Sequence, residues 1–383
     1  MYINSIYIIL RTHRLTSKNL IIETDTRRNT VKALILSGGT GTRLRPLTYT
    51  NAKQLLPLAN KPILFHIIEK IVKAHIHDIG IIVGDTHEEL KKAVGSGDQW
   101  NVDICYIHQT LPLGLAHAVK TASEFIGEDD FLMVLGDNIF NTELDTFINN
   151  FYLKNANTAI LLYKVENPSQ YGVAVVKNNH IVRLVEKPNE FVSDLIITGV
   201  YIFDKSIFSA ISNTKPSQRG ELEITDAIQN QINTGKKISY DIIEGWWKDT
   251  GKLSDMLEAN RLILDEVENN YYDMQRDHSI CIGKLQTGKN IVIRNSVVVG
   301  PVAIADNSII SNSYIGPYTS IDTGVRINDC EVDNCIILRN TELDSIHKRI
   351  SGSLIGKNVL IKASDKRPFI SSFLVGDNCE IYL

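Results

Sequence analysis

A chain of 383 residues with 43% apolar and 22% charged residues has the composition of a water-soluble globular protein and the length to bury more than one core. Its net charge of −4 argues against the basic surface of a nucleic-acid binder, so nucleotide monomers rather than polymers are the expected ligands. Five scattered cysteines with no C-x-x-C pair argue against a disulfide framework or a zinc site and suit reduced thiols in a cytoplasmic setting.

The chain opens on an apolar run, Met1-Tyr2-Ile3-Asn4-Ser5-Ile6-Tyr7-Ile8-Ile9-Leu10, that precedes a basic RTHR. A signal anchor carries its basic residues before the run and roughly 18 or more apolar residues within it. Neither is present, so residues 1–30 are read as an N-terminal extension and no membrane segment is expected. The run Val31, Ala33, Leu34, Ile35, Leu36 then reads as a buried parallel strand, short, continuous and ended by glycines. Further strands are expected at 79–83, 104–108 and 131–135, with helices at 63–74, 87–94 and 115–124. Such alternation is the signature of an α/β fold, a Rossmann-like, mostly parallel sheet covered on both faces. Past Asp137 it loosens into strand-like runs at 159–163, 173–176, 181–184 and 196–203, expected to roof a pocket, and a helix at 253–266 closes this part.

Beyond about residue 278 the chain changes to short cycles of Ile, Val, Ser, Asn, Asp and Gly. Ser, two or three apolar residues and Gly recur at 296–300, 313–316, 353–356 and 372–376. Short apolar rungs with tight turns between them describe a solenoid of stacked β-coils, and the near-hexapeptide cycle selects a left-handed β-helix. The cycle loses register between 322 and 348, so it fixes no coil count. Three segments result: the extension at 1–30, an α/β domain at 31–270 and a β-helix at 271–383.

The chemistry concentrates after the first strand, in Ser37-Gly38-Gly39-Thr40-Gly41-Thr42-Arg43, with Lys53 ten residues after Arg43. Three glycines remove the Cβ atoms that would keep a triphosphate from the backbone, so successive N–H groups can converge on its oxygens. Arg43 adds a planar fork and Lys53 a compact point charge. The dinucleotide fingerprint G-x-G-x-x-G fails because position 44 is Leu and no acidic residue follows about 20 positions on. A Walker near miss at 283–290 carries Asn290 where a Mg²⁺-binding hydroxyl should stand. Its Gly-Lys-Asn triplet recurs at 356–358, which marks a repeat turn.

Asp137, just past the fourth strand, stands where ligands of open α/β sheets bind and could give Mg²⁺ a hard oxygen ligand. Capping the next helix would account for it equally well. Asp249, in Gly245-Trp246-Trp247-Lys248-Asp249-Thr250-Gly251, is the second acidic candidate, with function favoured over packing. Glu186-Lys187 could offer an acceptor to sugar hydroxyls and a cation to a sugar phosphate, although a surface ion pair in a turn explains the two residues alone better. The Gln109 amide matches the edge of a pyrimidine, and Gly114 lets a flat base approach the backbone. Histidines 66, 75, 77, 87, 108 and 117 show no metal-ligand clustering, since His75 and His77, placed on a helix, point to different faces.

These residues resemble a known family, the sugar-1-phosphate nucleotidylyltransferases, and within it the long-form glucose-1-phosphate thymidylyltransferases. The likeness rests on GGTGTRLRPLT, KQLLPLANKPI, GIIVGDT, QTLPLGLAHAV, LGDN, QYGVA, VEKP, TGVYIFD, RGELEITDAI and GWWKDTGK, in order from residue 32 to about 265 and on into the tail. It implies a cytoplasmic enzyme that makes dTDP-glucose and pyrophosphate from dTTP and glucose 1-phosphate with Mg²⁺, for deoxysugar or surface-polysaccharide synthesis. The implied mechanism is in-line attack of the sugar phosphate on the α-phosphorus. By similarity Gly38, Gly39, Thr40, Gly41 and Thr42 cradle the nucleotide phosphates, Arg43 stabilises the departing pyrophosphate and Lys53 bridges the reacting phosphates. Asp137, also counted with the nucleotide site, would hold Mg²⁺ together with Asp249, and Gln54, Gln109 and Gly114 would read thymine. Gly172, Glu186, Lys187, Thr198 and Tyr201 would line the sugar pocket. A homo-oligomer is expected, with neither nucleic-acid nor membrane partners. One departure stands out: the family usually has Pro before the lysine, and here it is Ala52. Proline would fix φ and stiffen the loop, so Ala52 is expected to leave Lys53 more mobile without changing its chemistry.

Three other readings remain open at this level. One is a relative that uses UTP and another sugar phosphate. A second is a bifunctional enzyme whose β-helix carries an acetyltransferase, for which His347, read more readily as a loop residue, is the one candidate base in the repeats. The third is a non-catalytic nucleotide-binding regulator, suggested by Ala52 and by the tail.

Overall fold

The computed structural model describes residues 31–39, 41–49, 51–270, 274–363 and 378–381. The expected extension at 1–30, Thr40 of the glycine loop and the repeat at 372–376 lie outside the described residues.

The first part runs β1 (Lys32–Leu36), a short hairpin of β2 (Pro57–Leu58) and β3 (Lys61–Pro62), α1 (Ile63–Lys73), β4 (Asp78–Val83), α2 (His87–Val94), β5 (Asp103–His108), α3 (Leu115–Thr121), α4 (Ser123–Ile126), β6 (Phe131–Leu135), β7 (Asn138–Phe140) and α5 (Leu144–Leu153). It continues through β8 (Thr158–Lys164), β9 (Gly172–Lys177), β10 (His180–Glu186), β11 (Leu195–Phe203), α6 (Ser206–Ser212), α7 (Ile224–Asn233), β12 (Ile238–Ile242), β13 (Trp247–Asp249) and α8 (Leu253–Glu266). The helix expected at 115–124 is two helices, divided at Ala122. His75 and His77 follow α1 rather than lie on it, and His75 takes φ +58° in the turn.

β1 is the centre because successive side chains of a strand face opposite ways and both sides of this one are apolar. Ala33 and Ile35 pack on one face, with α1 residues Ile63, Leu64, Ile67, Ile68 and Ile71. Leu34 and Leu36 pack on the other, with Ala116 and Val119 of α3 and Ile207 of α6. Each fully buried Leu or Ile contributes roughly 1.5–3 kcal/mol. β1 pairs in parallel with β4 and β6, and β4 with β5, so the carboxyl ends of four strands share one edge. β11 then joins β6 antiparallel. Gly199, at φ +78°, sits in the register shift between Ile197 and Tyr201, so β11 bends there. Its amino end meets β9 at Ile196 opposite Val173, which carries the β9–β10 hairpin beyond the carboxyl end of β6.

The tail is a parallel solenoid, consistent with the left-handed β-helix expected from the repeats. One face is the five-stranded stack of Leu285–Thr287, Val302–Ile304, Thr319–Ile321, Ile336–Ile337 and Leu354–Ile355. The other two faces form one curled sheet in which the long strands Arg326–Asp333 and Glu342–Ser351 run around a corner. The near-Walker stretch is part of its first coils, with Leu285–Thr287 as a rung and Asn290 at φ +55°. His347 lies on the strand Glu342–Ser351 and is exposed, so it is not the loop residue expected.

The two parts meet at buried Asn260 of α8. Its Oδ1 accepts the Ala59 N–H at 2.8 Å and the Ser320 hydroxyl at 2.7 Å, and its Nδ2 donates to the Tyr318 carbonyl at 3.1 Å. Beside it the Asn60 amide donates to the Ile321 carbonyl at 2.9 Å.

Candidate active site

The glycine loop leaves β1 into the carboxyl edge of the sheet. A Cβ on Gly41, at φ +62°, would lie 2.9 Å from the Lys53 Cβ, so only glycine lets the loop close over the lysine. A Cβ on Gly136 would strike the Ser37 hydroxyl at 2.3 Å, and that buried hydroxyl has no hydrogen-bond partner among the described residues. Gly38 lies beside Gln109, whose Oε1 would be 3.4 Å from an added Cβ. Gly39 faces open space, and Thr42 with Arg43 begins an exposed 3-10 turn.

Lys53 is 6% exposed, and its ammonium lies 2.5 Å from Asp137 Oδ2 and 3.7 Å from Asp249 Oδ1. Asp137 does not cap a helix: it stands between β6 and β7. Thr250 holds it, donating both N–H (3.1 Å) and hydroxyl (2.8 Å) to the Asp137 carbonyl. Asp249 arrives on β13, which pairs antiparallel with β7 and sets Asp249 opposite Asn138. Burial, then the Asp137 charge, push the Asp249 carboxyl up to about 6 against the pull of Lys53 and Arg43. Both tryptophans serve packing: Trp247 donates to the Thr198 carbonyl at 2.9 Å and meets Tyr171 edge-on at 5.5 Å, and Trp246 donates to Glu266 at 2.7 Å. A Cβ on Gly251 would lie 3.2 Å from both Arg43 Nη2 and Asp249 Oδ2, so the guanidinium flanks the same carboxylate.

Buried Gln54 has an Oε1 without a partner among the described residues. Gln109 Nε2 donates to His117 Nδ1 at 2.9 Å and Gly114 follows at φ +103°, where an added Cβ would meet the Leu222 carbonyl at 2.6 Å. On the β9–β10 hairpin Glu186 ends β10 and Lys187 follows at φ +41°, a left-handed turn unusual for lysine. Glu186 is not paired with Lys187. Thr225 donates to it at 3.3 Å and Arg219 stands 3.5 Å away, anchored at 2.8 Å to Glu223. Burial and Glu223 raise the Glu186 carboxyl, while Lys187 and Arg219 oppose the rise. Gly172 presses on this carboxylate, its added Cβ only 3.1 Å from Oε2. Thr198 and Tyr201 lie inside the sheet: Thr198 donates to the Leu161 carbonyl at 2.7 Å, and Tyr201 stacks on Phe203.

Sequence reasoning passed over Ser37, Tyr171, Arg219 and Thr250. All four lie within the glycine loop or the family motifs, and burial, then Asp249, raise the Tyr171 hydroxyl against the pull of Arg43. Arg219 opens the motif RGELEITDAI but carries no periodic signal, and its ion pairs to Glu221 and Glu223 appear only in the fold.

A glycine-lined loop, a lysine between two carboxylates and a third carboxylate at the end of β10, gathered around the carboxyl edge of an open α/β sheet, define a class of enzyme that moves phosphate groups of nucleotides. Residues 32–266 match the family model described as Nucleotidyl transferase. The chain is 44% identical to a glucose-1-phosphate thymidylyltransferase of Streptomyces antibioticus over 92% of this chain and 99% of that one. It is 42% identical to a protein of the same description from Streptomyces griseus over 91% and 98%. A crystal structure described as a glucose-1-phosphate thymidylyltransferase from Bacillus anthracis in complex with sucrose aligns with a TM-score of 0.59 at 36% identity, covering 63% of this chain and 98% of that chain. The chain belongs to the nucleotidyl transferase family.

Proposed function

We propose that this chain makes dTDP-glucose and pyrophosphate from dTTP and glucose 1-phosphate. The observation that carries the reading is the buried Lys53 ammonium held between Asp137 and Asp249 beside a glycine nest. An oxygen of the sugar phosphate attacks the α-phosphorus of the nucleotide in line. That P–O bond forms as the bond to the β-phosphate oxygen breaks, and pyrophosphate leaves. Lys53 sets one positive charge against the α-phosphoryl oxygens, and Arg43 faces the departing pyrophosphate. Gly38, Gly39 and Gly41, with the adjoining Thr40 and Thr42, receive the phosphate chain.

The donor set fits Mg²⁺. Asp249 Oδ1 is buried without a hydrogen bond, and Asp137 stands beside it. Among the described residues no group of three or more His, Cys, Asp or Glu side chains could hold a metal, so the ion would complete its shell with substrate phosphates and water, the ordinary habit of Mg²⁺. Bound there, it would neutralise phosphate charge.

Gln54, through its unpartnered Oε1, and the Gln109 amide meet the edge of thymine, with Gly114 leaving room for the ring. Glu186 accepts from sugar hydroxyls and Lys187 faces the sugar phosphate, near Gly172, with Thr198 and Tyr201 shaping the strand beneath. Pyrophosphate release with dTTP, glucose 1-phosphate and Mg²⁺ tests the reading. Turnover is expected, faster with dTTP than with UTP. No release with any pairing of nucleotide and sugar phosphate overturns it.

A further inference from the structure

Ala52 stands directly before Lys53, 1% exposed, at φ −60° and ψ 133°. Its carbonyl accepts the Leu55 N–H at 2.9 Å and so starts the 3-10 turn Lys53–Leu55 that presents Lys53 and Gln54. Its own N–H lies outside that turn and is donated to Glu89 Oε2 at 2.7 Å, from the first turn of α2. A buried amide without this acceptor would be stranded, so the carboxylate holds the loop at the residue that precedes the lysine. The mobility expected of Ala52 is therefore opposed by a bond that proline could not make.

We propose that Glu89 is a positioning residue for catalysis, fixing residues 52–56 through its bond to the Ala52 amide and so setting where Lys53 meets Asp137 and the reacting phosphates. Among the described residues Glu89 is bonded to the Ala52 amide and not to a group assigned to substrate. At φ −60° residue 52 already has the dihedral that a proline ring imposes. A ring and a hydrogen bond are thus two alternative locks for one backbone position. They also exclude each other, because the ring would place Cδ where the N–H now meets Oε2.

The proposal rests on the nucleotidyl-transfer reading for its kinetic test, so a second readout is independent of turnover. In the full chain, Glu89→Ala is expected to lower kcat about tenfold while the KM for glucose 1-phosphate changes little. Glu89→Gln, which keeps an acceptor oxygen, retains most of kcat. Adding Ala52→Pro to Glu89→Ala restores kcat to within about threefold of wild type. Amide hydrogen exchange of residues 53–56 follows the same order, faster in Glu89→Ala and slowed again in the double variant. Wild-type kcat in Glu89→Ala, or no recovery on adding Ala52→Pro, overturns the proposal. So does equal loss of melting temperature in both Glu89 variants with kcat untouched, which would reduce Glu89 to an acid at a helix N-terminus. If the wild-type chain releases no pyrophosphate with any substrate pair, the transfer reading fails, and unchanged exchange at 53–56 would then separately reject the role of Glu89.

Discussion

Lys53 is expensive to bury and is tolerated because two carboxylates surround it. Lys53→Met, similar in volume and uncharged, should lower kcat by about 10²–10³ with a smaller change in nucleotide KM, read by pyrophosphate release. Asp137→Ala and Asp249→Ala should each abolish Mg²⁺-dependent turnover, and a wild-type rate in either would remove that residue from the metal site. Glu186 makes a pH prediction. Its carboxyl, raised by burial and Glu223, holds its proton more tightly folded than unfolded. That contribution is complete below the unfolded value and is lost as pH rises through the folded one, so at neutral pH the ionised group destabilises the fold. Glu186→Gln should therefore melt above wild type at about pH 7, the gap closing as pH falls below about 4.5, while the KM for glucose 1-phosphate rises about tenfold. The glycines, Lys53 and both aspartates could be read from the sequence because each lies in a short motif beside a strand end. Arg219 and Thr250 lie in family motifs too, but their roles could not be read there, since they act through partners 33 and 113 positions away that only the fold brings near.

The elements were legible where one physical signal dominated. β1, β4 and β6 are continuous apolar runs because both faces are covered, and β5, the edge strand, alternates exposed and half-buried residues, whereas β7 and β13 have three residues each and leave no period to detect. In the solenoid the recurring serine has a physical cause. Ser296 accepts the Ser313 N–H at 3.0 Å while donating to the Arg294 carbonyl at 2.6 Å, and Ser313 repeats the pattern toward Cys330 and Ser311. Asparagines turn the neighbouring corner: Asn295, Asn312, Asn328 and Asp344 form a ladder with steps of 2.9, 3.1 and 2.9 Å. Between 322 and 348 the cycle blurred where Asp329 and Ser345, at φ +50° and +58°, take the positive-φ positions that Asn295 and Asn312 hold in the two preceding coils. Asn312→Ala would break two ladder steps and place alanine at φ +50°, at a cost of about 1–3 kcal/mol. Its melting temperature should fall by several degrees with turnover at 25 °C preserved; an unchanged melt would deny the ladder a role in stability.

At the scale of the whole molecule the sequence announced two architectures but not how they are joined, because the junction uses isolated polar side chains and no motif. Asn260 and the Ala59–Asn60 turn bind the middle coils, and the last coils reach the glycine-loop side, where Lys357 bonds Asn51, Asn378 donates to Tyr49 at 2.9 Å and Gly356 packs near Leu47. Both contacts flank Lys53 and Gln54 in sequence, one before and one after. The β-helix is therefore continuous, through short chain segments, with the loop that carries the reactive lysine. Asn260→Ala tests this continuity, since it strands the Ala59 N–H, the Ser320 hydroxyl and the Tyr318 carbonyl together in a buried place. Each orphaned group costs about 1–3 kcal/mol, less whatever water recovers, so the melting temperature should drop by about 5 °C or more. The single transition should also separate into two as the solenoid and the α/β part lose their coupling. Because the Ala59 turn follows the Lys53–Leu55 turn at once, kcat should fall several-fold at temperatures well below the melt. One transition at the wild-type temperature, with wild-type kcat, would mean that the two parts merely touch.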